Sequence, residues 1–238
     1  MREFPWHVRK PVAEHDQWFR NLTGLHALTR AWIHELHLEA EAPHLLQRVM
    51  SPRIQEALTI LETLDERSVP KDLESVLGSD YPEELLGRLE QTIWVTQTWL
   101  LRHLFETTPQ DEWDALKNSL AQSSWKAGRN CAEQRWGKLP EVARRDLRGV
   151  FSAINDGPLS GFPHHRAFLV VRALPERIEA ELLHCPHRSV YPEIVLAADE
   201  LCLLHADWIR GYAYGINTEV LIDHQKDVRC RQVWTLHQ

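Results

Sequence analysis

The spacing of hydrophobic residues divides the chain into a long helical part and a shorter part of mixed structure. In the first part, apolar residues recur every three or four positions, as in amphipathic helices packed on a core. The pattern is interrupted at Pro43, and the segment 65–71 is typical of a polar connector. The helices predicted from this spacing and from their start signals cover residues 14–49, 52–66, 79–105, 108–136 and 140–151.

Beyond residue 155 the pattern changes to an alternation of apolar and polar positions, which is typical of half-buried strands. Two hairpins are predicted, with one helix between them. The predicted strands cover residues 166–174, 177–184, 216–223 and 228–236. Helical spacing returns over residues 192–212, and we expect Gly211 and Gly215 to end this helix.

The element order predicts an α+β fold, with β structure confined to about residues 165–236. A mostly α-helical N-terminal part, residues 1–152, is expected to pack on a small C-terminal antiparallel β–β–α–β–β module, residues 153–238. We expect the two parts to form one compact unit, because helices and sheets bury their apolar faces against one another.

Charge and cysteine content disfavour several classes of protein. A net charge of −7 argues against nucleic acid as the partner, and the one dense basic cluster, at Arg144, Arg145 and Arg148, has the helical spacing of a solvated face. The sequence contains no run of about 18 or more apolar residues, which is the length needed to span a membrane. Four scattered cysteines and the lack of an N-terminal apolar segment predict free thiols and a cytoplasmic location. Phosphate-binding loops and the common hydrolase motifs are absent from the sequence.

Ten tryptophans are many for a chain of 238 residues. Six of them fall at the spacing of core positions in the predicted helices: Trp18, Trp32, Trp94, Trp99, Trp113 and Trp125. We expect them to fill the core, and the alternative is that several line a pocket for a flat or apolar ligand.

Candidate chemistry is concentrated in the last third of the chain, in His184-Cys185-Pro186-His187 and in the pair Cys202 and His205. Thiols and imidazoles act as nucleophiles, proton carriers or metal ligands near neutral pH. Cys185 is predicted at a strand end, at the rim of a pocket. Cys202 and His205 lie three residues apart on a predicted helix and share a face, so they suit a metal or thiolate–imidazole pair. The alternative is a buried, inert Cys202 with His205 on the surface.

The carboxyl end carries a wider pattern that includes these residues. Cys185-Pro186 is followed by a helix with Cys202 and Asp207-Trp208-Ile209-Arg210-Gly211-Tyr212, then by Ile216-Asn217 and by Val228-Arg229-Cys230-Arg231-Gln232-Val233-Trp234. This succession, over roughly residues 120–236, resembles the L-2-amino-thiazoline-4-carboxylic acid hydrolase-like family. Cys185, Cys202, Asn217 and Cys230 match the family pattern in order. Gln232 stands where the family has an aromatic residue, and Lys226-Asp227 replaces a Gly-Asp pair.

The resemblance implies a small-molecule hydrolase that acts on a C–N or C–S bond of a cyclic amidine or amide-like substrate through the Cys185 thiolate. His187 or His184 would act as general base, and Arg210 would hold a substrate carboxylate in a bidentate fork. Asn217 and Cys230 would complete the substrate site. No cofactor is required by this interpretation.

Two alternatives stay open. The first is zinc held by Cys185, His187, Cys202 and His205. The second is a non-catalytic accessory protein that binds a ligand or a partner, including another copy of the chain.

Overall fold

The structure is a computed structural model that describes residues 22, 27–34, 82–135, 141–155, 168–182, 195–226 and 230–237. Residues 22 and 27–34 are helical. The helices after residue 80 are α1 (Pro82–Thr107), α2 (Trp113–Arg135), α3 (Glu141–Arg145), α4 (Leu147–Asn155) and α5 (Val195–Ile216). The strands are β1 (Phe168–Leu174), β2 (Arg177–Leu182), β3 (Val220–Lys226) and β4 (Cys230–Leu236). The predicted α+β fold is confirmed, and within the described chain no strand precedes Phe168.

The break between α3 and α4 corrects the prediction of one continuous helix from Pro140 through Phe151. Asp146 lies between the two helices, and its Oδ1 accepts a hydrogen bond from the backbone N–H of Gly149 at 2.5 Å. Its carbonyl oxygen accepts a bond from the N–H of Val150 at 3.2 Å. Asp146 is therefore the N-cap of α4, and a short polar side chain at this position starts a new helix.

The four strands form one antiparallel sheet in the order β1-β2-β4-β3, so both predicted hairpins are confirmed. Register places Ala180 of β2, Gln232 of β4 and His224 of β3 in one row across the sheet. The side chains of this row and of every second residue from it face the helices. The register between β1 and β2 shifts between Val170 and Arg172. None of the described helices is long and apolar enough to cross a membrane.

Helix α5 packs against α2 at a close crossing, and this contact corrects the predicted end of α5. A Cβ atom added to Gly211 would lie 1.9 Å from the backbone oxygen of Trp125, and one added to Gly128 would lie 2.0 Å from that of Trp208. The glycines therefore let two helix backbones touch, and α5 continues through Gly211 and Gly215 to Ile216.

One hydrophobic core joins the helical part to the sheet. Its largest fully buried side chains are Trp32, Trp208 and Trp234, and the ring of Phe151 from α4 meets Trp234 of β4 edge to face at 5.1 Å. Of the six tryptophans predicted to fill the core, Trp32 and Trp94 are buried as expected, whereas Trp113 and Trp125 are only half-buried. Helix α4 runs across the predicted boundary at residue 152, and both parts contribute to the same core.

Candidate functional site

The three predicted catalytic residues His184, Cys185 and His187 lie outside the described residues. Strand β2 ends at Leu182, two residues before the predicted end of the strand. The predictions for these three side chains are therefore untested.

Cys202 and His205 are both buried on α5, with 7% and 8% of their surface exposed. The ring of His205 lies 5.2 Å from the ring of Trp94 on α1, at an interplanar angle of 41°. The interpretation of His205 as a surface residue is wrong, because the helical segment around it packs against α1. No group of three or more potential metal ligands occurs within the described chain, and two of the four predicted zinc ligands lie outside it. The zinc site stays a prediction.

Arg210 connects helix α5 to the edge strand β3. Its Nε donates a hydrogen bond to the carbonyl oxygen of Ile222 at 3.0 Å, and its Nη1 donates to Oδ1 of Asp207 at 2.6 Å. The guanidinium thus satisfies a backbone acceptor on an edge strand and balances a neighbouring carboxylate. These contacts give Arg210 a structural role. The sequence analysis predicted only that it binds a substrate carboxylate.

We define a polar junction as Asp207, Arg210, His224 and Gln232, and it interrupts the apolar inner face of the sheet beside the contact of α5 with β3. His224 follows the buried residues Val220 and Ile222 at every second position of β3. Gln232 is directly opposite His224 in register and is 3% exposed, and its Oε1 accepts a hydrogen bond from Nε1 of Trp234 at 3.3 Å.

Both ring nitrogens of His224 are shielded from solvent, and neither has a hydrogen-bond partner among the residues described. Most buried polar atoms in proteins are hydrogen-bonded, so an imidazole in this state requires an explanation. His224 is also within electrostatic range of Asp207 on α5.

Burial raises the pKa of the Asp207 carboxyl above its ordinary value. The hydrogen bond from Arg210, the charge of Arg210 and the charge of His224 act in the opposite direction. Burial is the largest of these effects, so the pKa of Asp207 is raised despite the neighbouring Arg210 guanidinium. A carboxyl group whose pKa is shifted by burial is common at catalytic and binding sites.

Asn217 and Cys230 lie at different ends of the α5–sheet unit. Asn217 follows the last residue of α5; its Nδ2 donates to the carbonyl oxygen of Arg144 at 2.9 Å, and its Oδ1 accepts from the N–H of Glu219 at 2.9 Å. It shapes the turn from α5 into β3. With a rise of about 1.5 Å per residue, it lies roughly 22 Å from Cys202 along the helix. Cys230 begins β4, opposite Lys226. The structure therefore does not bring Asn217 and Cys202 into one site.

A surface cleft of about 430 Å³ borders this turn. Its lining includes Arg129 and Arg145, but Arg129 is paired with Glu133 at 2.7 Å and Arg145 is paired with Glu141. Because acidic partners balance these two cations, the cleft is a weak candidate for an anion site.

The outer face of the sheet carries a second group of interacting charges. Oε1 of Glu179 is 2.7 Å from Nε of Arg177, and Arg231 pairs with its other oxygen. The hydrogen bonds from Arg177 and Arg231 lower the pKa of Glu179, more than burial raises it. This cluster links β2 to β4 and lies on the face opposite the polar junction, so its shifted pKa has a structural explanation.

Comparison of the chain with known protein families, with curated proteins and with solved structures found no match. The resemblance to the L-2-amino-thiazoline-4-carboxylic acid hydrolase-like family therefore stays a prediction.

The sequence analysis did not include His224 among the candidate site residues, because it ended the third strand at residue 223. A usable signal was present. The alternation of Val220, Ile222 and His224 extends the strand by one more inward position and places an imidazole on the buried face.

Proposed function

We propose that the protein is a small-molecule hydrolase that cleaves a C–N or C–S bond of a cyclic amidine or amide-like substrate through the thiolate of Cys185. The proposal combines the sequence resemblance with the polar junction on the inner face of the sheet. An imidazole with shielded nitrogens, within electrostatic range of a carboxyl of raised pKa, is the kind of group that moves protons in hydrolysis.

The observation that carries the proposal is the position of the polar junction relative to the end of β2. His224, Gln232 and Ala180 form one row across the sheet, and β2 ends two residues later, at Leu182. Cys185 follows Leu182 by three residues, so the covalent chain allows at most about 11 Å between their Cα atoms. The chain length therefore permits the thiol to reach the end of the sheet at which β2 stops, where Gln232 and His224 also lie.

In the proposed reaction, the thiolate attacks the sp² carbon of the substrate and water releases the covalent intermediate. His187 or His184 serves as base and then as acid. The reaction takes place in a reducing cytoplasm, where thiols stay free. The same segment would instead hold zinc if Cys185, His187, Cys202 and His205 converge on one ion.

Alkylation with iodoacetamide between pH 5 and 10, read for each cysteine by mass spectrometry, tests the proposal. Cys185 should react preferentially near pH 7, below the pKa of about 8.5 of an ordinary thiol. Cys185→Ser should fold normally and abolish turnover of cyclic amidines or amides, whereas Cys131→Ser should leave turnover unchanged. A midpoint near 8.5 for Cys185 alkylation, without bound metal, would contradict the proposal and favour a binding protein. Protection of Cys185 that a chelator removes would indicate the zinc site.

A further inference from the structure

Three of the six exposed large hydrophobic residues in the described chain lie on the edge strand β1. Leu169, Val171 and Leu174 are 51%, 53% and 41% exposed, whereas the opposite edge strand, β3, contributes only Leu221. One side of β1 pairs with β2, and no described strand pairs with its other side. An apolar edge with unpaired backbone N–H and C=O groups is a template for pairing with another strand.

The register shift in β1 gives its side chains a symmetrical order of faces. Residues directly opposite in an antiparallel pair share a face. Val170 and Ala173 are opposite buried residues of β2, so they lie on the inner face. Leu169 and Leu174 are opposite charged residues of β2 and lie on the outer face. From either leucine, the strand therefore reads outer, inner, two residues at the bulge, inner, outer.

This symmetry allows the strand to pair with another copy of itself. In an antiparallel pair about a two-fold axis through the bulge, Leu169 of one copy lies opposite Leu174 of the second copy, and Val170 lies opposite Ala173 of the second copy. Each pair joins residues of one face. In a strand of regular alternation, residues five positions apart lie on opposite faces and could not pair in this way. A shift by one residue would bring inner residues opposite outer ones, so the bulge selects a single register.

Charges beside the strand are complementary across the same axis. Arg172 is exposed and forms no ion pair within the described chain, and its neighbour on β2, Glu179, is already paired with two other arginines. In the symmetric pair, Arg172 lies opposite Val171 of the second copy. Two strand spacings and two residues along the strand then place its Cα atom roughly 12 Å from that of Glu181 of the second copy, on the same face. Two extended side chains span this distance, and the two-fold axis forms the pair twice.

We propose that β1 pairs with β1 of a second copy of this chain, and that the dimer joins two four-stranded sheets into one continuous sheet. The inference does not depend on the hydrolase function. A single pair of edge strands covers less than the roughly 800 Å² that each partner of a standard stable complex buries. The dimer is therefore weak and reversible, with a Kd above about 1 µM.

Sedimentation equilibrium of the full chain, from about 5 µM to 1 mM, measures the association. Leu169→Lys places a charge opposite Leu174 of the second copy, twice in the dimer, and should raise the Kd at least tenfold. Leu221→Lys is the matched control, because Leu221 is also 51% exposed and lies on the opposite edge strand. It should leave the Kd unchanged. Both leucines are exposed, so the Tm of the monomer at low concentration should stay the same in both variants.

A charge exchange tests the pairing across the axis. Arg172→Glu brings like charges together in the dimer and should raise the Kd by about two- to fivefold, as expected for exposed ion pairs. Adding Glu181→Arg should restore most of the affinity. If the double variant associates no better than Arg172→Glu alone, the proposed charge pairing is wrong.

Cross-linking tests the register. Opposite Cα atoms in an antiparallel pair are about 4.5–5.5 Å apart, which suits a disulfide. After oxidation, a mixture of the Leu169→Cys and Leu174→Cys proteins should form a disulfide between the two variants, and neither variant alone should do so. Mass spectrometry identifies the linked peptides, with the unchanged protein as the control for its own thiols.

Three outcomes would overturn the proposal. A chain that stays monomeric up to about 1 mM would leave the edge of β1 to a strand of another protein. Equal weakening by Leu169→Lys and Leu221→Lys would place the association elsewhere. A disulfide of the Leu169→Cys protein with itself would exclude the symmetric register.

Discussion

The carboxylate of Asp207 is subject to two opposing effects, and the balance between them decides how it influences stability. Burial disfavours its charge, while Arg210 at 2.6 Å and the nearby His224 favour it. The net result is a raised pKa, so the folded protein holds a proton on Asp207 more tightly than the unfolded chain does. On the outer face, Glu179 shows the reverse balance, because Arg177 and Arg231 lower its pKa.

The first prediction at the residue scale concerns Asp207→Asn, which keeps the shape of the side chain and removes its titration. Because the folded pKa is raised, the associated stability is present below the unfolded pKa of about 3.9 and is lost as pH rises through the folded value. As pH rises from the unfolded to the folded pKa of Asp207, the free energy of unfolding of the unchanged protein should therefore fall relative to that of the variant. We expect less than about 1.4 kcal/mol, the equivalent of one pKa unit, because the side chain keeps some exposure. Urea unfolding at pH 3.5–7 measures this difference. A constant difference across the range would contradict it.

Glu179→Gln should give the opposite slope in the same experiment. The lowered pKa of Glu179 means that its stabilising effect is present above the unfolded pKa of about 4.3 and is lost as pH falls through the folded value. Relative to this variant, the unchanged protein should become less stable on acidification. If both variants gave the same slope, the assignment of opposite shifts to Asp207 and Glu179 would be wrong.

At the scale of elements, the hydrophobic pattern predicted which segments are helices and strands, and the chemistry of single residues decided where they end. The start of α1 at Pro82 and both hairpins follow from local signals. The ends of α3 and α5 do not. Asp146 caps a new helix. Gly211 allows the close contact with α2, where its nearest neighbour is Trp125, 86 residues earlier in the sequence. A glycine at a helix end and a glycine at a helix crossing look alike in the sequence.

The prediction at this scale is that the glycines at the α2–α5 crossing tolerate no side chain. Gly211→Ala and Gly128→Ala place a Cβ atom about 2 Å from a backbone oxygen, so the helices must separate. We expect each to lower the free energy of unfolding by about 3 kcal/mol or more, the upper end of the range for overpacked cores. Gly215→Ala should cost less, because its nearest neighbour is the Ala132 side chain at 2.7 Å. Chemical denaturation provides the comparison.

Gly149→Ala is the matched control for these variants, because Gly149 lies in the first turn of α4. Alanine is the better helix former by about 1 kcal/mol, so this change should be neutral or stabilising. Equal losses at Gly149 and at Gly211 would show that the glycines are not required by the crossing.

At the scale of the whole molecule, α5 connects the helical part to the sheet. Its residues pack on α2 along one side and on β3 along another, and a single core extends from Trp32 to Trp234. The sequence predicted that the two parts form one unit, but not which residues meet. The junction of Asp207 with His224 depends on how α5 crosses β3, and the distance between Cys202 and Asn217 depends on the straightness of α5. Neither follows from local spacing.

The last prediction uses two buried thiols to test whether the described chain opens as one unit. Cys131 on α2 is 5% exposed and Cys202 on α5 is 7% exposed, so both react with alkylating reagents only after the structure opens. Because α2 and α5 share the glycine crossing and the same core, separating them exposes both thiols together. Under conditions where opening and closing are faster than alkylation, Cys131 and Cys202 should report the same free energy of opening, equal to that from global unfolding. The free energies of opening at Cys131 and at Cys202 should also depend on urea concentration with the same slope. A lower opening free energy at Cys202 alone would show that α5 detaches from α2 locally, and the junction that α5 forms with β3 would then open before the core does.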